Sequence, residues 1–165
     1  YLANNHMQVV NSSSQVIDAS SIAWDTYTGS NFPYQIRQTP GSHNSLGWVK
    51  FIFPNNYQIY FHDTPTKSLF NRIDRTFSHG CIRLSEAQRF AEYLLRNDTV
   101  WTAEKIDQVM HGGKETKVFL KEKIPVFIAY FTAWVDKNGD INFRKDIYGH
   151  DKELEASLET YEQEI

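Results

Sequence analysis

The chain of 165 residues is long enough for one domain with a buried core, and its 41% apolar and 22% charged residues are typical of a globular protein. A formal net charge of -3 provides no general attraction for nucleic acid, so we predict no nucleic-acid partner. The sequence has no run of about 18 apolar residues that would predict a membrane-spanning helix, and its single cysteine excludes an intrachain disulfide.

The first part of the chain predicts one short strand followed by a long ordered segment. Residues 7–10 have strand-forming side chains, and a polar turn follows them. Between residues 21 and 47, aromatic residues are spread among glycines and prolines without a helical or strand period. We interpret residues 21–47 as a lid or capping segment, although a connecting loop held down by its aromatic side chains explains the same pattern.

Two strand-forming runs come next, at residues 48–53 and 58–62, with a polar turn between them. This pattern predicts a β-hairpin. His62 ends the second run, and the following Asp63-Thr64-Pro65 stops the strand. A lone histidine in this position is usually structural, but strand ends also carry catalytic groups, so His62 is a candidate site residue.

The second half of the chain predicts two helices and three strands before an acidic C-terminal helix. Ser85 and Gln88 resemble a capping box, and Thr102 is a candidate N-cap. The predicted elements are helices at 86–96 and 103–111, strands at 116–121, 125–135 and 141–143, and a surface helix from 152. Strands dominate, so we predict a β-rich α+β fold with a mixed sheet and two or three helices.

The segment around Cys81 predicts an activated thiol. His79 precedes it by two residues, with Gly80 between them. A free cysteine has a pKa of about 8.5, so only about 3% is thiolate at neutral pH. An imidazole nearby raises that fraction by holding the thiol proton, which is what a nucleophile requires.

Two histidines compete for the role of base. In an extended segment His79 and Cys81 point the same way, but Gly80 favours a bend that separates their side chains. His62 arrives from another strand and is free to approach the sulfur. Geometry therefore favours His62 as the base, and His79 as a second polar group near the reacting carbonyl.

Other residues complete the predicted site. The side chain of Asp63 points away from His62 in an extended chain, so its backbone carbonyl is the better orienting group. The amides of Gly80 and Cys81 are candidate oxyanion donors. Arg83 either contacts a substrate carboxylate or braces the loop. Four further residues are candidates for binding substrate: Ser78, Tyr60, Phe77 and Trp48.

Taken together, His62-Asp63-Thr64-Pro65 and Ser78-His79-Gly80-Cys81-Ile82-Arg83 resemble the signature of the L,D-transpeptidase (YkuD) catalytic domain. The similarity extends from about residue 20 to about residue 155. Several segments resemble the large periplasmic YcbB-type branch of that family: residues 31–34, 38–41, 46–51, 70–72 and 130–134.

The resemblance implies a YkuD-like β-sandwich and an enzyme without a cofactor or metal. Its substrates would be peptidoglycan stem peptides, a donor and an acceptor, joined in 3→3 cross-links through a thioester on Cys81. It also implies a periplasmic or cell-envelope location, a role in cell shape, acylation by carbapenems, His62 as base and the Asp63 carbonyl as its orienting group. Members of that branch carry strands before the point where this sequence starts, so we expect residues 1–165 to be one partial catalytic domain. The missing N-terminal part of the domain is expected outside this sequence, with a separate chain as one source.

Three other interpretations stay open. A cysteine peptidase or amidase of the cell wall shares the thiol and histidine, although its cysteine normally precedes the histidine. A metal-binding module would use His62, His79 and Cys81, with no fourth ligand evident. An inactive peptidoglycan-binding module would have retained the site without its activity.

Overall fold

The computed structural model of the chain describes residues 1–78 and 80–163. The described residues form two compact units, which divide between Lys123 and Ile124. Within this part of the chain, three α-helices and three small sheets make up an α+β fold, the class that the sequence predicted.

The first sheet contains the most deeply buried side chains of the first unit. It has the order β2-β1-β3 and consists of β1 (Met7–Val10), β2 (Val16–Ile17) and β3 (Gln35–Gln38), all antiparallel. β1 is the central strand, so Val9 and Val10 are each only 1% exposed although they face opposite sides of the sheet. The predicted strand at residues 7–10 is confirmed.

Residues 21–47 contain more regular structure than the sequence predicted. β3 pairs with β1 along its whole length. Three of its four residues are polar, and β3 lies at the edge of the sheet, so no clear apolar alternation marked it. Before this strand, four aromatic rings contact one another with centroids 5.5–6.4 Å apart: Trp24, Tyr27, Phe32 and Tyr34.

The second sheet brings distant parts of the sequence together. It has the order β4-β5-β6, from β4 (Lys50–Phe51), β5 (Phe61–His62) and β6 (Ile82–Arg83). β4 and β5 are antiparallel, which confirms the predicted hairpin, although its strands are shorter than expected. β5 and β6 are parallel, so residues 63–81 form a crossover connection, and this connection contains a 3-10 helix at Lys67–Asn71.

Two helices follow the second sheet, α1 (Ala87–Leu95) and α2 (Ala103–Met110). They pack against each other, and the ring of Phe90 on α1 lies 4.9 Å from that of Phe51 and 6.4 Å from that of Phe61. Both helices lie close to their predicted bounds, and the two buried residues of α1, Ala87 and Ala91, fall on one face as its apolar period predicted.

The two helix starts differ from each other. The hydroxyl of Thr102 accepts the amide of Lys105 at 3.3 Å, so the predicted N-cap of α2 is confirmed. The predicted capping box of α1 is wrong, because the residue before the helix is Glu86 and its side chain makes no capping bond. Ser85 lies one position too early to cap α1.

The second unit is a hairpin and a helix. β7 (Ala133–Val135) and β8 (Ile141–Phe143) are antiparallel, and the Asp136 carboxylate holds their turn by accepting the amides of Asn138 and Asp140. α3 (His150–Gln163) follows. The predicted strand at 141–143 and the predicted C-terminal helix are both confirmed. None of the described helices has the length and apolar composition needed to cross a membrane.

One predicted strand is absent from the structure, and another is wrong over most of its length. Residues 116–121 form no strand, and only the last three residues of the predicted strand 125–135 do so. Phe127 is 89% exposed and Phe131 is 67% exposed. A strand requires a hydrogen-bonding neighbour, and no described strand pairs with residues 125–132. Apolar composition and strand propensity cannot supply that neighbour.

Candidate active site

The parallel pair β5 and β6 places the candidate base beside the candidate nucleophile. The amide of Ile82 donates to the Tyr60 carbonyl at 3.0 Å, and the amide of Leu84 donates to the His62 carbonyl at 2.8 Å. In this register the side chains of Tyr60, His62, Cys81 and Arg83 share one face of the sheet. Regular strand spacing separates the Cα atoms of His62 and Cys81 by about 8 Å, which the two side chains are long enough to close.

His62 is held in one orientation. It is 4% exposed, and its Nδ1 lies 2.5 Å from the carbonyl oxygen of Asp63. A carbonyl only accepts hydrogen bonds, so Nδ1 carries the proton and Nε2 of the neutral ring is an acceptor. The Tyr60 ring packs edge-on against the imidazole, with centroids 5.9 Å apart. The contact between His62 and the Asp63 carbonyl is the one that the sequence suggested for orientation.

The carboxylate of Asp63 turns away from the imidazole and binds other partners. Asp63 is also 4% exposed. Its Oδ2 accepts the amide of Trp48 at 3.0 Å, and its Oδ1 lies 2.5 Å from Nζ of Lys67. Burial raises the pKa of Asp63, but the hydrogen bonds from Lys67, Trp48 and Thr64, together with the lysine charge, outweigh it and lower that pKa below its ordinary value of 3.8.

Sequence reasoning missed two residues of this network, Lys67 and Gly47. Lys67 also donates to the carbonyl of Ser85 at 2.8 Å. Gly47 has φ of +63°, and a Cβ there would overlap the Asp63 carboxylate. The available signal was the i, i+4 spacing of Asp63 and Lys67, which indicates a contact only within a helix, and the sequence predicts no helix there. Gly47 ends the segment 21–47, whose role as a lid stays a prediction.

Cys81 is a free, partly buried thiol whose side chain interacts with the phenol of Tyr60. Burial raises the pKa of Tyr60, and the charge and hydrogen bonding of the Cys81 side chain raise it further. The phenol of Tyr60 therefore keeps its proton at neutral pH.

The loop before Cys81 is folded around the hydroxyl of Ser78. That hydroxyl donates to the Cys81 carbonyl at 2.6 Å and accepts the amide of Gly80 at 3.3 Å. Gly80 has φ of +142°, and a Cβ there would come within 3.0 Å of the Ile59 side chain, so the position favours glycine. His79, the candidate second polar group, lies outside the described residues.

The remaining candidates occupy different surroundings. Nε of Arg83 is buried and, within the part of the chain that is described, has no hydrogen-bond partner. Phe77 is exposed in the crossover connection. The ring of Trp48 packs edge-on against His111, with centroids 4.6 Å apart, while its backbone amide donates to the Asp63 carboxylate. The structure therefore places Tyr60 in contact with both His62 and Cys81, and places the Trp48 ring against His111, which directly follows α2.

Two comparisons with known proteins bear on this geometry. The family model described as the L,D-transpeptidase catalytic domain, YkuD, matches residues 1–102. A curated Haemophilus influenzae protein provisionally named an L,D-transpeptidase is 36% identical over 154 residues. Those residues are 93% of this chain and 31% of that protein, so the chain spans about a third of the length of the relative.

Proposed function

The chain belongs to the YkuD family of L,D-transpeptidase catalytic domains, and from that premise we propose that it joins peptidoglycan stem peptides through a thioester on Cys81. One observation carries the proposal. On the strand beside Cys81, the Nδ1 proton of His62 is bound to the Asp63 carbonyl at 2.5 Å. This leaves Nε2 on the shared face of the sheet as the proton acceptor that a thiol nucleophile needs.

In the first half of the reaction, Nε2 of His62 takes the thiol proton and Cys81 Sγ attacks the carbonyl carbon of the third residue of a tetrapeptide stem. A C–S bond forms while the carbonyl oxygen becomes an oxyanion. When the oxyanion collapses, the C–N bond to the terminal D-alanine breaks. The leaving amine takes the proton from His62, so the enzyme holds a thioester and no electrons are gained or lost.

Neighbouring groups stabilise the charges in this step. The amides of Gly80 and Cys81 donate to the oxyanion, and the 3.3 Å bond from Gly80 to Ser78 is long enough to give way to a charged acceptor. The Tyr60 hydroxyl donates to the thiolate before it attacks. The buried Nε of Arg83 donates a hydrogen bond to the carboxylate of a bound stem peptide.

In the second half, the side-chain amine of an acceptor stem attacks the thioester carbon. The amine gives its proton to His62, the C–S bond breaks, and Cys81 leaves as a thiolate that recovers a proton from the imidazolium. The product is an amide between the third residues of two stems, a 3→3 cross-link. This chemistry belongs in the cell envelope, and we place it in the periplasm, with a role in maintaining cell shape.

A carbapenem presents the same electrophilic carbonyl to the thiol, so acylation by carbapenems tests the proposal directly. We expect the mass of the intact chain to rise by that of the inhibitor after incubation. Cys81→Ala should remove the adduct completely, because the nucleophile is gone. His62→Ala should keep the thiol and slow adduct formation by about 10²–10⁴-fold, the usual contribution of a general base.

The matched control is Ser30→Ala, an exposed position in the aromatic segment, which should form the adduct at the rate of the unmodified chain. Adduct formation by Cys81→Ala would contradict the assignment of the nucleophile. An unchanged rate for His62→Ala would contradict the assignment of the base. Failure of the unmodified chain to form any adduct would remove the transpeptidase proposal.

A further inference from the structure

Lys67 lies where three separate segments of the site meet. Its Nζ is 2.5 Å from Oδ1 of Asp63, 2.8 Å from the Ser85 carbonyl oxygen and 3.4 Å from the Leu84 carbonyl oxygen. Asp63 directly follows β5, whereas Leu84 and Ser85 directly follow β6. A single ammonium group therefore joins the ends of the two strands that carry His62 and Cys81.

Asp63 transmits this contact to the imidazole. Its carbonyl oxygen is the acceptor for His62 Nδ1, so the orientation of this one peptide group decides the tautomer and direction of the ring. Its carboxylate is fixed on the other side by Lys67 and by the amide of Trp48. Gly47 packs so closely against the carboxylate that a methyl group there would not fit. The Asp63 side chain thus has one place to lie.

The charges make Lys67 necessary to this arrangement. The Asp63 side chain is almost completely buried, while the Lys67 side chain is half-exposed and is the cation paired with it. A buried carboxylate without its cation is strongly disfavoured, so it takes up a proton or moves towards water. Either response disturbs the peptide group that receives the proton of His62 Nδ1.

We propose that Lys67 is a positioning residue for the thiol–imidazole pair, setting through Asp63 the tautomer of His62 and, through Leu84 and Ser85, the placement of the strand that carries Cys81. This inference rests on the proposed function for its purpose. The effect of Lys67 on the reactivity of Cys81 can nevertheless be measured without any peptidoglycan substrate.

The test compares Lys67→Met with Lys67→Arg in the full chain. Lys67→Met keeps the length of the side chain but removes the charge and the donors, whereas Lys67→Arg keeps both. Lys121→Met is the matched control, because Lys121 pairs at 2.9 Å with another largely buried carboxylate, Asp98, in the same unit. For each protein, the rate of Cys81 alkylation by iodoacetamide is measured as a function of pH. The tautomer of His62 is followed by imidazole ¹⁵N NMR.

Lys67→Met should slow alkylation at neutral pH by about tenfold, because an imidazole without its fixed tautomer takes the thiol proton less readily. Its His62 signal, assigned by its loss in His62→Gln, should change from the Nδ1-protonated pattern to a mixture of tautomers. Lys67→Arg should restore the rate to within about threefold, since it retains the ion pair. Lys121→Met should leave both readouts unchanged.

Two outcomes overturn the proposal. One is a Lys67→Met protein with a lower melting temperature but an unchanged alkylation profile and His62 spectrum, which would make the role only structural. The second outcome applies if Lys67→Met does not fold. Lys67→Gln then removes the charge but keeps amide donors, and an unchanged alkylation profile in that protein overturns the proposal. If carbapenem acylation fails while the Lys67 effect on alkylation persists, the transferase assignment falls and the positioning role stands.

Discussion

Asp63 binds three neighbours through two different groups, its carbonyl for His62 and its carboxylate for Lys67 and Trp48. The sequence predicted the first contact, because consecutive side chains of a strand point to opposite faces. It did not predict the contacts of the carboxylate, because their partners lie 15 residues before and four residues after Asp63 and no local pattern links them to it. Asp63 therefore stabilises the fold as well as the site.

The close packing at Gly47 provides a prediction for this residue. Gly47→Ala and Gly113→Ala both place alanine at a left-handed backbone, with φ of +63° and +70°. Each variant should therefore lose about 1–2 kcal/mol of unfolding free energy. Only Gly47→Ala also drives a methyl group into the Asp63 carboxylate. We expect it to lose a further 1–3 kcal/mol, about the usual cost of overpacking, as measured by urea unfolding.

Gly113→Ala is the matched control, because no atom lies within 4 Å of its added Cβ. Equal losses of unfolding free energy in the two variants would show that the Asp63 side chain moves aside without cost. That result would also weaken the view that this carboxylate has a single position.

Sequence patterns identify the candidate reactive residues but not the groups that support them. Cys81 is the single cysteine, and His62 ends a strand, so both are visible in the sequence. Lys67 has no such mark, because its importance comes from carbonyl groups 17 and 18 residues away. The role of His79 stays a prediction, since that residue lies outside the described part of the chain.

Among the elements, the helices were predictable and several strands were not. The helical period and the Thr102 cap are local signals, and α1 and α2 lie within a residue or two of their predicted bounds. A strand is defined by its partner, which local sequence does not specify. For that reason polar β3 was missed, and the apolar run 125–132 was assigned to a strand that the structure does not contain.

The start of α3 is predicted to depend on pH through Asp146. Its carboxylate accepts the amides of Asp151, at 2.8 Å, and Gly149, at 2.9 Å. The Asp151 amide is the largest influence, with the Tyr130 hydroxyl and other amides adding to it, and together these bonds outweigh burial and lower the pKa of Asp146 from 3.8 to about 2. A lowered pKa means that the stabilisation is complete above pH 3.8 and is lost as pH falls through about 2.

We therefore expect the Asp151 amide resonance to shift and its hydrogen exchange to accelerate between about pH 4 and pH 2, followed by ¹H–¹⁵N NMR. Asp146→Ala should show the unprotected state already at pH 5. Asp140→Ala, in the turn between β7 and β8, is the control and should leave the Asp151 amide protected. Full protection of that amide at pH 2 would contradict this role for Asp146.

On the scale of the whole molecule, the family match lies within the first of the two structural units. The match covers residues 1–102, which include both sheets and α1 of the first unit. The Haemophilus influenzae relative is similar over 154 residues, so its likeness extends into the second unit. Composition predicted the α+β class of the chain but contained no signal for a division near residue 123, because no change in composition marks it.

Limited trypsin digestion should expose this organisation. Residues 113–131 are without helix or strand in the described structure, and the basic residues from Lys114 to Lys123 are exposed. We expect the earliest cuts there and at Arg72 and Arg75 of the exposed connection. Lys50 and Lys105 should be cut later, because strand or helix hydrogen bonds hold their backbones.

Mass spectrometry of the early fragments would locate the cuts. Replacing Lys114, Lys117 and Lys123 by glutamine serves as the control, since it removes three of these sites and leaves the ion pair between Lys121 and Asp98 in place. Early cutting at Lys50 or Lys105 in the unmodified chain would contradict the predicted order of cleavage.

Because β5 and β6 are parallel, the chain must pass over the sheet between them, and residues 71–77 of that passage are exposed. The register of the two strands is held by their hydrogen-bond ladder and not by the number of residues between 71 and 77. Insertions or exchanges in those exposed residues are therefore compatible with an unchanged ladder. The length of the passage and the pairing of the strands are separable features, which evolution or an engineer can alter one at a time.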